Sequence, residues 1–195
     1  MSWIYTNIFI FIMAILLAIL EIQIEGKHGW AGKLPTWRPK KTPWFLQIYQ
    51  KIIGNREITG YHLSLFAYVL FIFHLPFFLG TPFTWENWFR IISLFLLYIV
   101  VWDFLWFVMN PHYPLKKFRQ EHVLWHKKWW LFAPSDYFIC IVLSFLVLIP
   151  YDQLHPQAGL LAWWLAHVLL FAAETILVIL FTLYVLKIDN WHNKK

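Results

Sequence analysis

Five long apolar stretches constrain the fold of this chain more than any other feature of its sequence. They cover residues 3–24, 62–79, 88–109, 137–151 and 158–186. A helix of about 20 apolar residues spans the roughly 30 Å hydrocarbon core of a bilayer, and the short fourth stretch would need local thinning or burial by its neighbours. Charged residues make up 13% of the chain, against about 25% in soluble domains. The sequence therefore predicts one all-α integral membrane domain, residues 1–195, with about five transmembrane helices.

The basic residues predict the orientation of these helices. All of them except Arg90 lie in the loops at residues 25–61 and 110–136 or after the last span. Because basic residues favour the cytoplasmic side, we expect an external N-terminus and a cytoplasmic C-terminus. The net charge of +6 follows from this arrangement, so nucleic acid is not an expected partner. The first span has no basic residue before it and no small-x-small cleavage site, and we expect it to be retained as an anchor.

Both predicted cytoplasmic loops have a composition typical of membrane interfaces. In the first loop, apolar residues recur at helical spacing from Trp44 to Ile53, which predicts an amphipathic helix that ends at Gly54. The second loop mixes Lys, His and Trp from Lys116 to Trp130, and this mixture indicates a second interfacial segment. Membrane lipids are thus expected partners, and five basic residues of this loop are expected to bind lipid head-groups: Lys116, Lys117, Arg119, Lys127 and Lys128.

Ionisable side chains beside hydrocarbon are costly, so each is a candidate functional residue. Glu21 and Glu25 are four residues apart at the cytoplasmic end of the first span, and Asp103 lies roughly 10 Å inside the end of the third. Imidazole and carboxylate ligands suit iron, zinc or manganese, whereas a single cysteine excludes a CxxC site. The expected catalytic residues are Asp103, Glu21 and His112. The expected metal ligands, enough for two ions, are Glu21, Glu25, Asp103, His112, His122, His126 and Asp136.

Structural roles are the alternative for most of these residues. Glu25 could be a solvated flank, and His122 and His126 could bind lipid phosphates. Asp136 could satisfy the free amides at a helix N-terminus. Asp103 is harder to explain in this way, because its own helix has no basic residue within reach and an unpaired buried charge costs several kcal/mol. It requires a buried cation, a metal ion or a histidine as its partner.

A second polar set lies nearer the middle of the predicted membrane. His167 and Glu174 are seven residues apart and share one helix face, and His74 lies in the second span. These three side chains could contact a substrate or relay protons, or they could simply fix helix packing. Trp102 and Trp106 lie inside the third span, where they could line a pocket for a lipid-like substrate, although core packing is the default for such residues.

Two short motifs are similar to those of di-iron proteins. His122-x-x-x-His126 resembles the first histidine box of the fatty-acid hydroxylase and desaturase group, membrane di-iron enzymes that act on lipid chains. The resemblance covers five residues, and the His-x-x-His-His boxes of that group are absent from this sequence. Glu25-Gly26-Lys27-His28 matches Glu-x-x-His, one half of the di-iron pattern of helix bundles.

The sequence favours a membrane-embedded metalloenzyme that oxidises or hydrolyses a lipid or other apolar substrate at the cytoplasmic interface, with iron or zinc as the expected cofactor. Two other classes remain open. The chain could be a proton-coupled transporter or a ligand-binding membrane protein, although it lacks the internal repeat of many transporters. It could also be a structural subunit, with its acidic and histidine residues paired to a partner chain or to a second copy in a homo-oligomer.

Overall fold

The structure is a computed structural model that describes residues 3–52 and 55–193, and most of these residues are helical. The regular elements are α1 (Trp3–Glu25), α2 (Trp44–Ile52), α3 (Gly60–Phe78), α4 (Trp85–Met109), β1 (Trp129–Trp130), β2 (Ala133–Pro134), α5 (Ser135–Leu146), α6 (Ile149–Leu154) and α7 (Leu160–Leu180). Short 3-10 turns cover Leu115–Lys117, Pro156–Ala158 and Ile188–Asn193, and a π-helical turn, Phe181–Val185, continues α7.

Five helical segments of the described chain are long and apolar enough to cross a membrane. They are α1, α3, α4, the segment Ser135–Leu154 formed by α5 and α6, and the segment Pro156–Val185 that contains α7. The all-α class is therefore confirmed, and the number of long apolar helices agrees with the predicted number of spans.

The fourth apolar helical segment is longer than predicted. It was expected at residues 137–151, but the helical segment covers Ser135–Leu154, which is 20 residues. A short interruption at Val147 and Leu148 separates α5 from α6. Pro150 lies in the first turn of α6, where its missing N–H costs little, so helical structure resumes and no unusually short span is needed.

Helix α4 lies at the centre of the bundle and packs against α1, α3, α5 and α7. Its partners on α1 include the fully buried Ala14 and Ala18. Small residues let two helix backbones approach closely, which is how helices pack in an apolar solvent. Polar side chains add to this packing, since Ser93 Oγ donates to the Ser144 carbonyl at 2.8 Å and Trp164 Nε1 donates to Ser144 Oγ at 2.9 Å.

Pairs of side chains show how the helices alternate in direction. Trp3 contacts His167 with ring centroids 5.5 Å apart, and Phe11 contacts Phe171 at 6.4 Å, so α1 and α7 are parallel. The side chain of Tyr137 at the start of α5 donates to Asp103 near the end of α4. The end of α1, the start of α3, the end of α4 and the start of α5 therefore meet at one end of the bundle, called the polar end below.

The two loops at the polar end differ from each other. The amphipathic helix predicted in the first loop is present as α2, and its predicted end at Gly54 lies outside the described residues. The second loop, for which the sequence predicts only an interfacial composition, consists of turns and the antiparallel pair β1–β2, with Trp129 opposite Pro134. Pro111 and Pro114 disfavour a helix at its start. Its five basic residues, Lys116, Lys117, Arg119, Lys127 and Lys128, are exposed, so lipid binding by them stays a prediction.

Candidate functional site

A cluster of ionisable side chains lies at the polar end of the bundle. Helices α1, α3, α4 and α5 and the two loops each contribute to it. Its members are buried or half-buried, and they are Glu21, Glu25, Arg56, His62, Asp103, His126 and Asp136. These residues are far apart in the sequence, and they form two adjoining groups, one around His62 and one around Arg56.

The first group consists of the buried residues Glu21, Glu25 and His62, called the Glu–Glu–His triad below. One ligand atom from each residue lies within 4.8 Å of the others. His62 Nε2 is 3.5 Å from Glu21 Oε1 and 3.6 Å from Glu25 Oε1. Two ligands of a tetrahedral metal ion, each about 2.0–2.2 Å from it, are separated by about 3.3–3.6 Å. The nitrogen–oxygen distances in the triad are therefore compatible with tetrahedral coordination of one metal ion.

Local sequence positions each member of the triad. Glu21 and Glu25 are one helical turn apart on α1, so both side chains project from the same face. Thr59 caps the start of α3, accepting from the His62 amide at 3.2 Å, and its Oγ1 is 2.8 Å from His62 Nδ1. Because Nδ1 is engaged by Thr59, Nε2 is the nitrogen left to face the two carboxylates. Metal-binding histidines are commonly oriented by such a hydrogen bond on their other nitrogen.

A tight turn after α1 completes the surroundings of the triad. The backbone has positive φ at Gly26, Trp30 and Ala31, with values of 59°, 57° and 52°. Non-glycine residues in this region are strained, and strain of this kind is often found at functional sites. In this conformation the Ala31 amide donates to Glu25 Oε1. The turn thus holds one of the two carboxylates in place.

Trp30 lies between the two groups of the cluster. Its indole stacks on the His62 imidazole, with centroids 3.9 Å apart and planes at 11°. The Arg56 guanidinium carbon is 4.4 Å from the centroid of a Trp30 ring. Trp30 Nε1 donates to the Glu57 carbonyl at 2.7 Å, which fixes the ring between its two partners. Trp30 therefore orients an imidazole of the first group and the cation of the second.

The close approach of Gly29 to Trp125 provides a test of this turn. A Cβ on Gly29 would collide with the Trp125 indole, 2.7 Å from Cε2 and 2.9 Å from Cη2. We expect Gly29→Ala to lower the free energy of unfolding by about 1–3 kcal/mol, the usual cost of overpacking. Gly32→Ala is the matched control, because its Cβ would make only ordinary contact, 3.4 Å from the Gly29 carbonyl oxygen. Equal denaturant unfolding curves for the two variants in detergent would contradict this packing.

The second group surrounds the buried side chain of Arg56. Its Nη2 donates to Asp136 Oδ2 and lies 2.5 Å from His126 Nδ1, and its Nη1 is 3.9 Å from Asp103 Oδ1. His126 Nδ1 is also 3.3 Å from Asp136 Oδ1, so this ring nitrogen faces both the guanidinium and a carboxylate. Nε2 is 3.2 Å from Asp103 Oδ2, which also accepts from the Tyr137 hydroxyl. Two of the partners predicted for Asp103 are therefore present: a buried cation, Arg56, and a histidine, His126.

A cavity of about 400 Å³ adjoins both groups. Its volume is within the usual range of small-molecule sites, about 300–1,000 Å³. Most of its wall is apolar and is contributed by α3 and α4, with Leu63, Phe66 and Leu70 on one helix and Phe95, Ile99 and Val100 on the other. At one end the wall is polar and includes Glu21, His62 and Asp103. The triad therefore borders a largely apolar cavity.

The structure brings five of the seven expected metal ligands into the cluster: Glu21, Glu25, Asp103, His126 and Asp136. It does not bring His112 or His122 there. Both are exposed, and His112 lies beside Gly26, Lys27 and Lys117. His122 and His126 are not on a helix, so the four-residue spacing does not place them on one face. Helix α1 ends at Glu25, and the Glu25–His28 motif is therefore not helical either.

The second polar set predicted from the sequence, His74, His167 and Glu174, is divided in the structure. His167 Nδ1 is 2.5 Å from Asn7 Oδ1, and Asn7 Nδ2 donates to Glu174 Oε2 at 2.8 Å. His74 is separate, with its Nδ1 2.8 Å from the Leu70 carbonyl oxygen of its own helix. Of the two tryptophans, Trp102 lines the cavity, whereas Trp106 packs against Phe107, Tyr113 and Trp125.

The sequence places His62 on the same side as the expected metal ligands but does not include it among them, and it indicates neither Arg56 nor Trp30 as a member of the site. His62 follows Thr59 at the spacing of a helix N-cap, and it starts a span that begins on the same side as Glu25 ends. Those two signals could have added it to the expected ligands. Arg56 and Trp30 lie in the non-helical parts of the first loop. The sequence around them has no helical or strand periodicity, so it does not predict where their side chains lie.

Comparisons with known protein families, with curated proteins and with solved structures each found no match.

Proposed function

We propose that this protein is a multi-pass membrane metalloenzyme that acts on a lipid-like or other apolar substrate. The single observation that carries the proposal is the Glu–Glu–His triad, three buried ligand atoms within 4.8 Å of one another. Two carboxylates held one turn apart in an apolar environment need a cation or protons to balance their charge. A divalent ion such as iron or zinc would supply that balance and leave a coordination position for water or substrate.

The proposal is for one metal ion, rather than the two that the number of expected ligands allowed. Asp103 and Asp136 could have held a second ion, but Arg56 already places a guanidinium between them. His126 contacts the same guanidinium through Nδ1 at 2.5 Å. A cation that is hydrogen-bonded to Asp136 and lies 3.9 Å from Asp103 takes the electrostatic role that a second metal would have.

Asp103 is positioned to orient a bound water or a substrate at such a site. Together with the three triad residues it borders a small space between α1 and α4, and it also borders the larger cavity. A carboxylate in this position could accept a hydrogen bond from a water or from a substrate hydroxyl and hold it towards the triad. Oxidation, with dioxygen and an electron donor, and hydrolysis, with a metal-bound water, are the two reaction classes open to this arrangement.

Metal-dependent turnover of lipid tests the proposal. The protein is stripped with a chelator, reloaded with iron or zinc, and reconstituted in vesicles made from a total lipid extract, with dioxygen and a reductant supplied. We expect mass spectrometry to find lipid products that differ from their precursors by oxygen, hydrogen or water, and that require the metal. His62→Ala should form none, whereas His74→Ala, a change on the same helix outside the cluster, should form them normally. Products that are equally abundant without metal, or in His62→Ala, would contradict the proposal.

A second candidate function is suggested by the buried hydrogen-bonded series His167–Asn7–Glu174. His167 is fully buried and its Nε2 has no hydrogen-bond partner among the described residues. Buried ionisable groups of this kind are used in proton-coupled transport. We expect the protein to support proton-coupled uptake into vesicles and Glu174→Gln to abolish it. Unchanged proton flux in that variant would remove this candidate.

A further inference from the structure

The cavity next to the triad has a polar wall at one end and apolar walls along the rest of its length. This division indicates the class of ligand that the cavity could bind. Along α3 its wall runs from His62 to Leu70, and along α4 from Phe95 to Asp103. Eight residues of helix advance about 12 Å. An extended chain advances about 1.2 Å for each covalent bond, so the cavity length matches about ten carbon atoms of a single alkyl or isoprenoid chain.

The charges at the polar end exclude an anionic head-group. The walls there include Glu21, Asp103 and Asp136, and the cationic side chain on the described wall is Arg56. Arg56 already pairs with both aspartates. Glu25 adds a further carboxylate beside Glu21, so even a divalent ion would leave the region without a free positive charge. A carboxylate or phosphate head-group would therefore enter against like charge.

Tyr49 supplies a partner for an uncharged head-group. It lies on α2 and borders the cavity, and its hydroxyl is buried without a hydrogen-bond partner among the described residues. Burial raises the pKa of Tyr49 to about 12, with Arg56 nearby acting in the opposite direction. The phenol thus stays protonated and can both donate and accept a hydrogen bond. A buried hydroxyl of this kind gains most from a ligand that supplies the missing partner.

We propose that the cavity binds a single-chain amphiphile with an uncharged oxygen head-group, an alcohol or a carbonyl, whose head lies between Tyr49 and the Glu–Glu–His triad and whose chain lies between α3 and α4. This inference rests on the proposed function for the role of the triad, and it names the substrate class of the same site. Ala67 borders the cavity and is an exposed residue of α3. The cavity therefore opens sideways on α3, where a chain could enter from the bilayer and where the rest of a longer chain could extend.

Photolabelling in lipid nanodiscs tests this inference. The probe is a long-chain primary alcohol with a diazirine in its chain, and the labelled residues are found by mass spectrometry. We expect labels on α3 and α4 around Leu70 and Ile99, with competition by 1-dodecanol and at least tenfold weaker competition by dodecanoate. Tyr49→Phe should weaken labelling by about two- to tenfold, the effect of one lost hydrogen bond.

Two bulky variants separate the cavity from the general lipid surface. Ala67→Trp should block labelling of the cavity wall, whereas Ala172→Trp, at an exposed alanine of α7, should leave it unchanged. Labelling spread evenly over the lipid-facing helices, or equal competition by dodecanoate, would overturn the inference even if metal-dependent turnover were found. Selective labelling without metal-dependent turnover would support the cavity and count against the proposed function alone.

Discussion

Replacing Arg56 by methionine is expected to destabilise the protein by about 3–5 kcal/mol, the cost of removing one partner from a buried ion pair. Arg56 is 5% exposed, and its side chain contacts Asp103, Asp136 and His126. Methionine keeps most of the volume but leaves two carboxylates facing each other without a cation. The transition temperature in detergent should fall by on the order of 10 °C.

Two further variants show whether the loss comes from charge. Arg119→Met removes an exposed arginine of the second loop, and we expect it to change stability by no more than about 0.5 kcal/mol. Adding Asp136→Asn to Arg56→Met should restore part of the lost stability, because it removes one of the uncompensated charges. If Arg56→Met is as stable as Arg119→Met, the buried ion pairs described for the second group do not stabilise the protein.

Removing the His62 imidazole is expected to lower metal affinity by at least about a hundredfold. Even partners that only orient a ligand change affinity by about 10–100-fold, and His62 would be a ligand itself. Thr59→Ala should therefore have an intermediate effect, a loss of about tenfold or more, because it removes the group 2.8 Å from His62 Nδ1. Calorimetric titration with zinc, after the metal has been removed with a chelator, measures the affinities of the unchanged protein, His62→Ala and Thr59→Ala.

The control for this series is His74→Ala. It removes an imidazole from the same helix, where Nδ1 is 2.8 Å from the Leu70 carbonyl oxygen and where the side chain is outside the triad. Its zinc affinity should equal that of the unchanged protein. Equal losses in His62→Ala and His74→Ala would show that histidines on α3 affect binding only through the fold, and the triad would not be the metal site.

The sequence predicts the helices well because length and hydropathy decide them. Every long apolar stretch is a helical segment, and the first three have ends within three residues of those predicted. Helical periodicity also places Glu21 and Glu25 together, and the alternation of the spans brings Asp103 and Asp136 to the same end. Because an unpaired buried charge is costly, the sequence predicts that Asp103 has a buried cation, metal or histidine as its partner. In the structure Arg56 and His126 are these partners.

Other side chains of the site lie in loops, and the positions of loop residues cannot be predicted from helical or strand periodicity. The spacing of His122 and His126 matters only on a helix, and the turns of the second loop expose the first and bury the second. The turn after α1 requires positive φ at Trp30 and Ala31, which local propensity disfavours. Tertiary contacts of Trp30 with His62 and Arg56 accompany that conformation. Such long-range compensation is not visible in the sequence.

X-ray absorption spectroscopy of the metal in the purified protein tests the central claim most directly. The Glu–Glu–His triad predicts one metal ion per chain, bound by one imidazole nitrogen and by oxygen ligands at about 2.0–2.2 Å, with no sulfur ligand and no second metal nearby. The signal of the imidazole should disappear in His62→Ala and persist in His74→Ala. A protein that retains no metal after purification and reloading, or a spectrum with several imidazoles or a neighbouring metal ion, would contradict the account.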